Sequence, residues 1–496
     1  MKSMKGVFKL IMVALFGVVI LACFSGRANA YSFMEDRLRI HGYVENQTAW
    51  RLQDGVNEAG KLSRCRSIIQ LEIAADLSET VKFNTILRGH YDAAWDLQDS
   101  INQAPKDWSS VPNGTGMKES FEAREWHIRS YWDNFMIKAG RQQIVWGESD
   151  LLRMSDIINP LDLSWRINLQ SWEDIRIPVR AIDAIYEFPG KYAFSIEGVV
   201  VPEDFRANKV APPGANWDPM WNNPQGIPGM QLMWTAMERD LSDVRDDGLS
   251  NVQGGLRGRA KFGDWDTSLF YYYSMAQNGV ATFNTAFNPF VAPDLGNYPL
   301  KFKWPHLQNV GATFNTFDEY TSTIFRGECA FTIDQPYTQD AKNPFLAAMG
   351  LPDPDYASKD VFACMLGFDR PTFIKPLNST RTFFISGQVF QKWIFDADDS
   401  KLTTGLGQEG RDDYQCLGTL IINTEYWDGK IVPEIAAVYD FTASCGLLMP
   451  TFKYMPTYDI SIILGGAWLW AGKETADDIG PFEKDDEVFL HVRYSF

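Results

Sequence analysis

Nine residues of types that suit recognition lie in one stretch of the chain: Arg141, Trp146, Glu148, Asp150, Arg153, Trp165, Arg166, Trp172 and Arg176. Guanidiniums grip carboxylates and phosphates through two parallel hydrogen bonds, and indoles offer flat apolar walls. Lining a narrow passage, such groups set which ions and amphiphiles pass. The stretch also carries Ile144, Val145, Ile157, Ile158, Ile175 and Ile177, too apolar a set for a solvated loop, so it is expected to fold inward. Two readings of it stay open. Either these side chains form a selective constriction, or Trp146 and Glu148 pin the loop to a wall, Glu148 pairing with an arginine there.

Spacings for bond-making chemistry are missing. His41, His90, His127, His306 and His491 are scattered, without a pair at helical metal-binding spacing. The nucleophile elbow Gly-x-Ser-x-Gly and phosphate-cradling loops are absent as well. The cysteines show no Cys-x-x-Cys, which leaves a zinc ribbon unsupported and rules out covalent haem in this chain. No enzyme activity, cofactor or metal is therefore expected. Acidic clusters at 238–247 and 477–487 lack the spacing of a calcium loop and read as solvated loops.

The elements that must position these residues alternate with period two. Arg64, Arg66, Gln70 and Glu72 oppose Cys65, Ile69, Leu71 and Ile73; Arg88 and His90 oppose Leu87 and Tyr91. Gln253, Arg257 and Arg259 oppose Val252, Leu256 and Phe262. Charged residues on one face and aliphatic or aromatic ones on the other describe a polar lumen inside a lipid-facing wall, with Arg64, Arg66, Arg88, Arg257 and Arg259 on the luminal side. A soluble sandwich would give the same alternation in any single strand.

Connection lengths separate the two. Short turns at 77–79, 133, 189–190 and 263–264 alternate with long connections, the longest at 203–250. That rhythm belongs to transmembrane barrels, with turns on one side and loops on the other. The expected fold is all-β: a transmembrane antiparallel β-barrel of about 18 strands with an inward-folded constriction loop. A short connection at 441–443, where a long one is due, leaves a count of 16 open.

Both ends of the chain agree. Lys2, Lys5 and Lys9 precede the apolar run 10–24, and Ala28-Asn29-Ala30 follows, which reads as a signal peptide over residues 1–30. Ile20-Leu21-Ala22-Cys23 is a competing lipoprotein-type site that would leave Cys23 lipidated. No later apolar run is long enough for a membrane helix, so a membrane protein of this sequence must cross as a closed barrel. The barrel is expected over 31–496, with 147–179 as the constriction loop and 203–250 as a long extracellular loop. The last residues alternate to Tyr494 and Phe496, a pattern similar to the terminal signal by which outer-membrane barrels reach their assembly machinery. With 46 Lys and Arg against 63 Asp and Glu, the net charge of −17 excludes a general nucleic-acid binder. The expected partners are outer-membrane lipid and the assembly machinery, with an envelope exporter or periplasmic protein as a further candidate. The chain leaves its oligomeric state open.

The stretch Gly140-Arg-Gln-Gln-Ile-Val-Trp-Gly-Glu-Ser-Asp150, continued by Ile157-Ile-Asn-Pro-Leu-Asp162 and Ile175-Arg-Ile-Pro-Val179, resembles the hallmark of the domain of unknown function 1302 family. The resemblance is specific over about residues 134–190. It implies a large exported outer-membrane protein of a Gram-negative bacterium. Family members are often encoded near exporters of the RND type and a periplasmic lipoprotein-fold partner, so the resemblance implies envelope transport of lipidic or otherwise hydrophobic compounds. A looser similarity runs to alginate-export and substrate-specific porins, whose lumens are rich in arginine. The combined expectation is a channel passing a small to medium anionic or amphipathic solute. Two alternatives stand beside it: a barrel handling hydrophobic compounds, and a non-conducting sheath around a partner.

Overall fold

The computed structural model describes residues 31–34, 36–54, 58–97, 117–150, 153–166, 170–202, 205–211, 217, 237, 240–241, 244, 248–288, 290–291, 297–340, 354–397, 402–403, 413–472 and 479–496. The signal-peptide reading, and most of the 203–250 reading, fall outside these residues.

Eighteen antiparallel strands close into one barrel. In chain order they are β1 (Leu38–Arg51), β2 (Leu62–Asp76), β3 (Val81–Asp92), β4 (Glu119–Trp132), β5 (Phe135–Gln142), β6 (Val179–Glu187), β7 (Ser195–Val201), β8 (Gln253–Phe262) and β9 (Trp265–Met275). They continue as β10 (His306–Asp318), β11 (Thr323–Asp340), β12 (Pro354–Thr372), β13 (Phe383–Ile394), β14 (Tyr414–Asn423), β15 (Ile431–Asp440), β16 (Gly446–Tyr454), β17 (Ile460–Trp470) and β18 (Glu487–Ser495). Each pairs with the next. β18 returns to β1 from Tyr43–Ser495 to Arg51–Glu487, and Gly42 exchanges both backbone hydrogen bonds with Phe496. Closure leaves no sheet edge to seek another strand. No helix among the described residues is long and apolar enough to cross a membrane.

The period-two pattern sorts the side chains as expected. Leu256, Leu269, Val310, Leu366, Val389 and Leu464 are exposed on the outside, an apolar belt suited to hydrocarbon. Arg64, Arg66, Arg88 and Arg257 are buried inside. The interior is not uniform. Toward the turn end its side chains are open to solvent: Arg39, His41, Lys82 and Arg259 are 42–50% exposed, and their ion-pair partners Asp76, Glu72 and Asp266 lie on neighbouring positions. Toward the loop end Arg51, Arg64 and Glu487 are buried. A solvent-filled vestibule therefore opens at the turn end, and protein fills the loop end.

Two boundaries differ from the sequence reading. Periodicity carries β5 to residue 146, but the strand stops at Gln142. From Gln143 the chain leaves the wall, because Asn159 takes the next backbone N–H, Ile144, at 2.8 Å. β11 and β12 instead run well past 333 and begin before 359, pairing as far as Asp340–Pro354 across a bulge at Thr332/Gln335. Their outer ends are mostly polar, with Tyr337 and Ala357 as isolated apolar positions, so periodicity carries little signal there. The short 441–445 connection is real. The Asp440 carboxylate accepts the N–H groups of Thr442 and Ala443, and Ser444 takes a left-handed φ of 60°.

Candidate functional site

The segment 143–178 connects β5 to β6 through the inside of the barrel, and three sequence pieces hold its base together. The Asn159 amide donates to the carbonyls of Ile177 (2.9 Å) and Gln142 (3.4 Å), while its oxygen accepts from Ile144. Ile177 N–H donates to Pro160 O at 2.7 Å, and Leu161 bridges Arg176. Two glycines are forced by crowding. A Cβ on Gly140, at φ +138°, would sit 2.3 Å from the Trp126 carbonyl, and one on Gly147 would sit 2.9 Å from Asp156 N.

From this base the chain reaches the wall all around. Trp146, 1% exposed, donates its indole N–H to Glu197 of β7 at 2.8 Å, and Glu197 also takes two bonds from Arg257 of β8 at 2.6 and 2.9 Å. Phe270 and Tyr272 of β9 enclose the same indole. Further on, Glu148 meets β11 through its backbone: its N–H donates to Glu328 (3.1 Å), and its carbonyl accepts from Arg326 (2.7 Å). Asp150 pairs with Arg326 at 2.6 Å and exchanges hydrogen bonds with Gln388 of β13.

The return path docks on the other side. Trp165 stacks on the Arg66 guanidinium and meets the His90 ring edge-on at 4.9 Å. Arg166 pairs with Glu487 of β18 at 2.7 Å, lies over Phe489, and approaches Met449 Sδ of β16 at 3.8 Å. A single helical turn, Trp172–Ile175, then presents Asp174 to Arg88 at 2.6 Å. The Trp172 indole donates to the Asp150 carbonyl, closing the loop on itself. Arg124 of β4 donates to the carbonyls of Glu173, Asp174 and Arg176 at 2.7–2.8 Å. Burial alone would raise the Asp174 carboxyl, but the guanidiniums of Arg88 and Arg124 and the Ser171 hydroxyl hold it below its ordinary value.

The remaining chosen residues are structural joints. Arg141 ties the exit point to Glu122 (2.9 Å) and to the Ala123 and Pro178 carbonyls. Arg153 bonds the Asn159 carbonyl and Gln277 (2.7 Å), and Arg176 pairs with Asp156 at 2.7 Å. On the wall, Arg64 shares Glu487 with Arg166, and Arg66 lies 3.7 Å from Asp92. Arg259 stands apart, half exposed in the vestibule and 3.7 Å from Asp266. The sequence pairing of a Glu148 side chain with a luminal arginine is replaced by Asp150 on Arg326; Glu148 offers its backbone there. Among the described residues no cluster of three or more His, Cys, Asp or Glu side chains is placed to hold a metal.

The family described as "Protein of unknown function (DUF1302)" matches residues 11–496. The chain belongs to that family. The match extends over nearly the whole DUF1302 chain what its central motif suggested for 134–190. No curated protein matches it. Among solved structures the DUF1302 chain is similar to OccK2 (OpdF) of Pseudomonas aeruginosa in complex with glucuronate, at 8% identity and TM-score 0.47, covering 94% of this chain and 99% of that one. OccAB3 of Acinetobacter baumannii matches at 9% identity and TM-score 0.45, covering 92% and 99%. OmpF of Salmonella typhi in complex with daunomycin matches at 8% identity and TM-score 0.42, covering 94% and 100%.

Several anchors of the DUF1302 segment escaped the sequence reading: Arg124, Asn159, Glu197, Arg326, Glu328, Gln388 and Glu487. Arg326 and Glu328 sit two apart on the polar face of β11, so the alternation that marks Arg64 and Arg66 would also mark them. Asn159 carries no such signal, since its role rests on three contacts distant in sequence.

Proposed function

We propose that this protein is an outer-membrane channel for a small to medium amphipathic anion, with the 143–178 segment as its constriction. One observation carries the reading: wall arginines are held by carboxylates of a segment that crosses the interior, while β12–β17 present an apolar patch inside, toward the loop end. Arg88 is paired with Asp174 and Arg326 with Asp150. Met365, Phe390, Leu417, Leu447 and Leu469 pack on the opposite side with Trp217 and Phe482. A solute with one anionic end and an apolar body complements both halves. When the segment moves, its carboxylates leave guanidiniums facing the lumen.

The test is single-channel conductance of the refolded protein in a planar bilayer, with reversal potentials, repeated after deletion of 150–174. That deletion removes Asp150 and Asp174 while leaving Arg88 and Arg326 in the wall. Stepwise conductance that rises on deletion, with a reversal potential moving toward anions, is expected. A refolded barrel that never conducts in either form overturns the channel; conductance without anion preference overturns the solute class.

A further inference from the structure

One seam of the barrel is interrupted. β16 and β17 pair from Gly446–Trp470 to Leu448–Trp468 and resume at Thr451–Gly465 in the same register, leaving Met449 and Pro450 without ladder partners across that seam. Neighbouring seams are continuous here: Pro450 pairs with Ile435 of β15, and Gly466 and Ala467 pair with Val488 and Glu487 of β18. Other irregular ladders in the barrel shift register by bulges. The cause is local. Proline withholds a ladder donor and is ordinarily kept to sheet edges and bulges, and Pro433, the other proline of the β15–β16 ladder, lies just past the end of the β14–β15 ladder. Pro450 stands opposite Gly466, in the gap where the β16–β17 ladder is open, with paired residues on both sides.

Both sides of this gap are unusual. Outside, Gly466 carries no side chain, and its place is covered by the Trp468 ring, within 2.6 Å of where a Cβ would be. Inside, Met449 touches Arg166, and fully buried Ala467 joins the apolar cluster of Met365, Phe390, Leu447 and Leu469. Arg166 and Arg64 share the single carboxylate of Glu487. A ligand carboxylate can therefore take Arg166 while Glu487 stays paired with Arg64, so the exchange strands no buried charge.

We infer that the β16–β17 seam is a lateral portal through which an amphiphile with a carboxylate head passes between the barrel interior and the bilayer, Arg166 receiving the head and Trp468 covering the outer side. The inference deepens the channel reading and rests on its solute class.

The probe is cis-parinaric acid, with its methyl ester as control, and the protein is the refolded full barrel in bilayers of brominated lipid. In a background with Cys65, Cys329, Cys364, Cys416 and Cys445 replaced by Ala, Pro450→Cys with Gly466→Cys places two thiols opposite each other across the seam by register. Oxidation is expected to slow exchange of bound parinarate with the bilayer at least about tenfold, and reduction to restore it. Arg166→Gln is expected to weaken parinarate binding by about tenfold without affecting the ester, and Arg166→Lys to recover part of the loss. Equal exchange in oxidised and reduced protein overturns the portal, and equal binding of acid and ester overturns the role of Arg166. Ion conductance after deletion of 150–174 is measured in parallel. Conductance with no parinarate binding removes the portal and spares the channel, whereas staple-sensitive exchange without conductance removes the channel and spares the portal.

Discussion

Burial decides which charges matter. Glu197 and Arg257 have side chains 4% and 11% exposed, and Glu197 also accepts the Trp146 indole. Replacing Glu197 by Ala leaves a buried guanidinium and a buried N–H without their acceptor, which costs about 3–5 kcal/mol. A red shift of Trp146 emission and a lower urea midpoint, with the barrel still closed, are the expected signs. Arg259→Ala, on a half-exposed pair, should change stability by no more than about 1 kcal/mol. Comparing the two midpoints checks the ranking; equal losses would contradict it. Asp174 adds a pH dependence. Its folded value is depressed, so the stability it contributes is complete above the ordinary aspartate value of about 3.9 and is lost as pH falls through the lower folded value. Amide exchange over 170–178 should stay slow from pH 7 to about 4 and quicken below. Asp174→Asn should quicken it at neutral pH.

At the level of elements, the 143–178 segment behaves as a strut whose base and tip differ. The base is hydrogen-bonded backbone around Asn159, with Ile144, Trp146 and Ile158 packed on Val179, Val199 and Phe270. The tip is held on the far wall through Arg326, Glu328 and Gln388. Asp150→Ala removes the tip's carboxylate and leaves the base intact. Its expected effect is flickering single-channel current, with thermal stability of the barrel lowered by less than in Glu197→Ala. Asn159→Ala attacks the base, leaving the N–H of Ile144 and the carbonyls of Gln142 and Ile177 unsatisfied at about 1–3 kcal/mol for each buried group. Proteolysis within 150–174 should then outpace that of the tip variant, and the reverse order would show that the tip is the stronger hold.

For the molecule as a whole, closure depends on its last residues. Phe496 exchanges both backbone bonds with Gly42, and Tyr494 pairs with Val44 of β1 and Ile460 of β17. The backbone part of this closure survives Phe496→Ala, so the variant should refold in detergent to a heat-modifiable barrel. In cells the same variant should accumulate unassembled, provided the terminal aromatic is read by the assembly machinery. Equal outer-membrane yield of variant and parent would count against that reading. The interior is asymmetric along the barrel axis: the turn end is open and holds paired charges, whereas side chains pack the loop end.

Sequence alone determined the wall. Period-two alternation follows from the geometry of an extended chain between lipid and lumen, and a chain that crosses a membrane without an apolar helix long enough to span must do so as closed β-structure. Turn and loop lengths then carried the strand order, and the apolar content of 143–178 carried its inward course. Only the tertiary structure decided what each chosen side chain does. Arg141, Arg153 and Arg176 have the same chemistry as Arg88, yet their partners lie within or beside the segment and make them joints. Asp150 found Arg326, and Trp146 found Glu197, across separations that no local pattern encodes. Pro450 and Gly466 look unremarkable in sequence; the gap between them exists because the β16–β17 hairpin sets them opposite each other in one register. Pairing along a strand is a local property, whereas contact across a lumen is fixed only when the barrel closes.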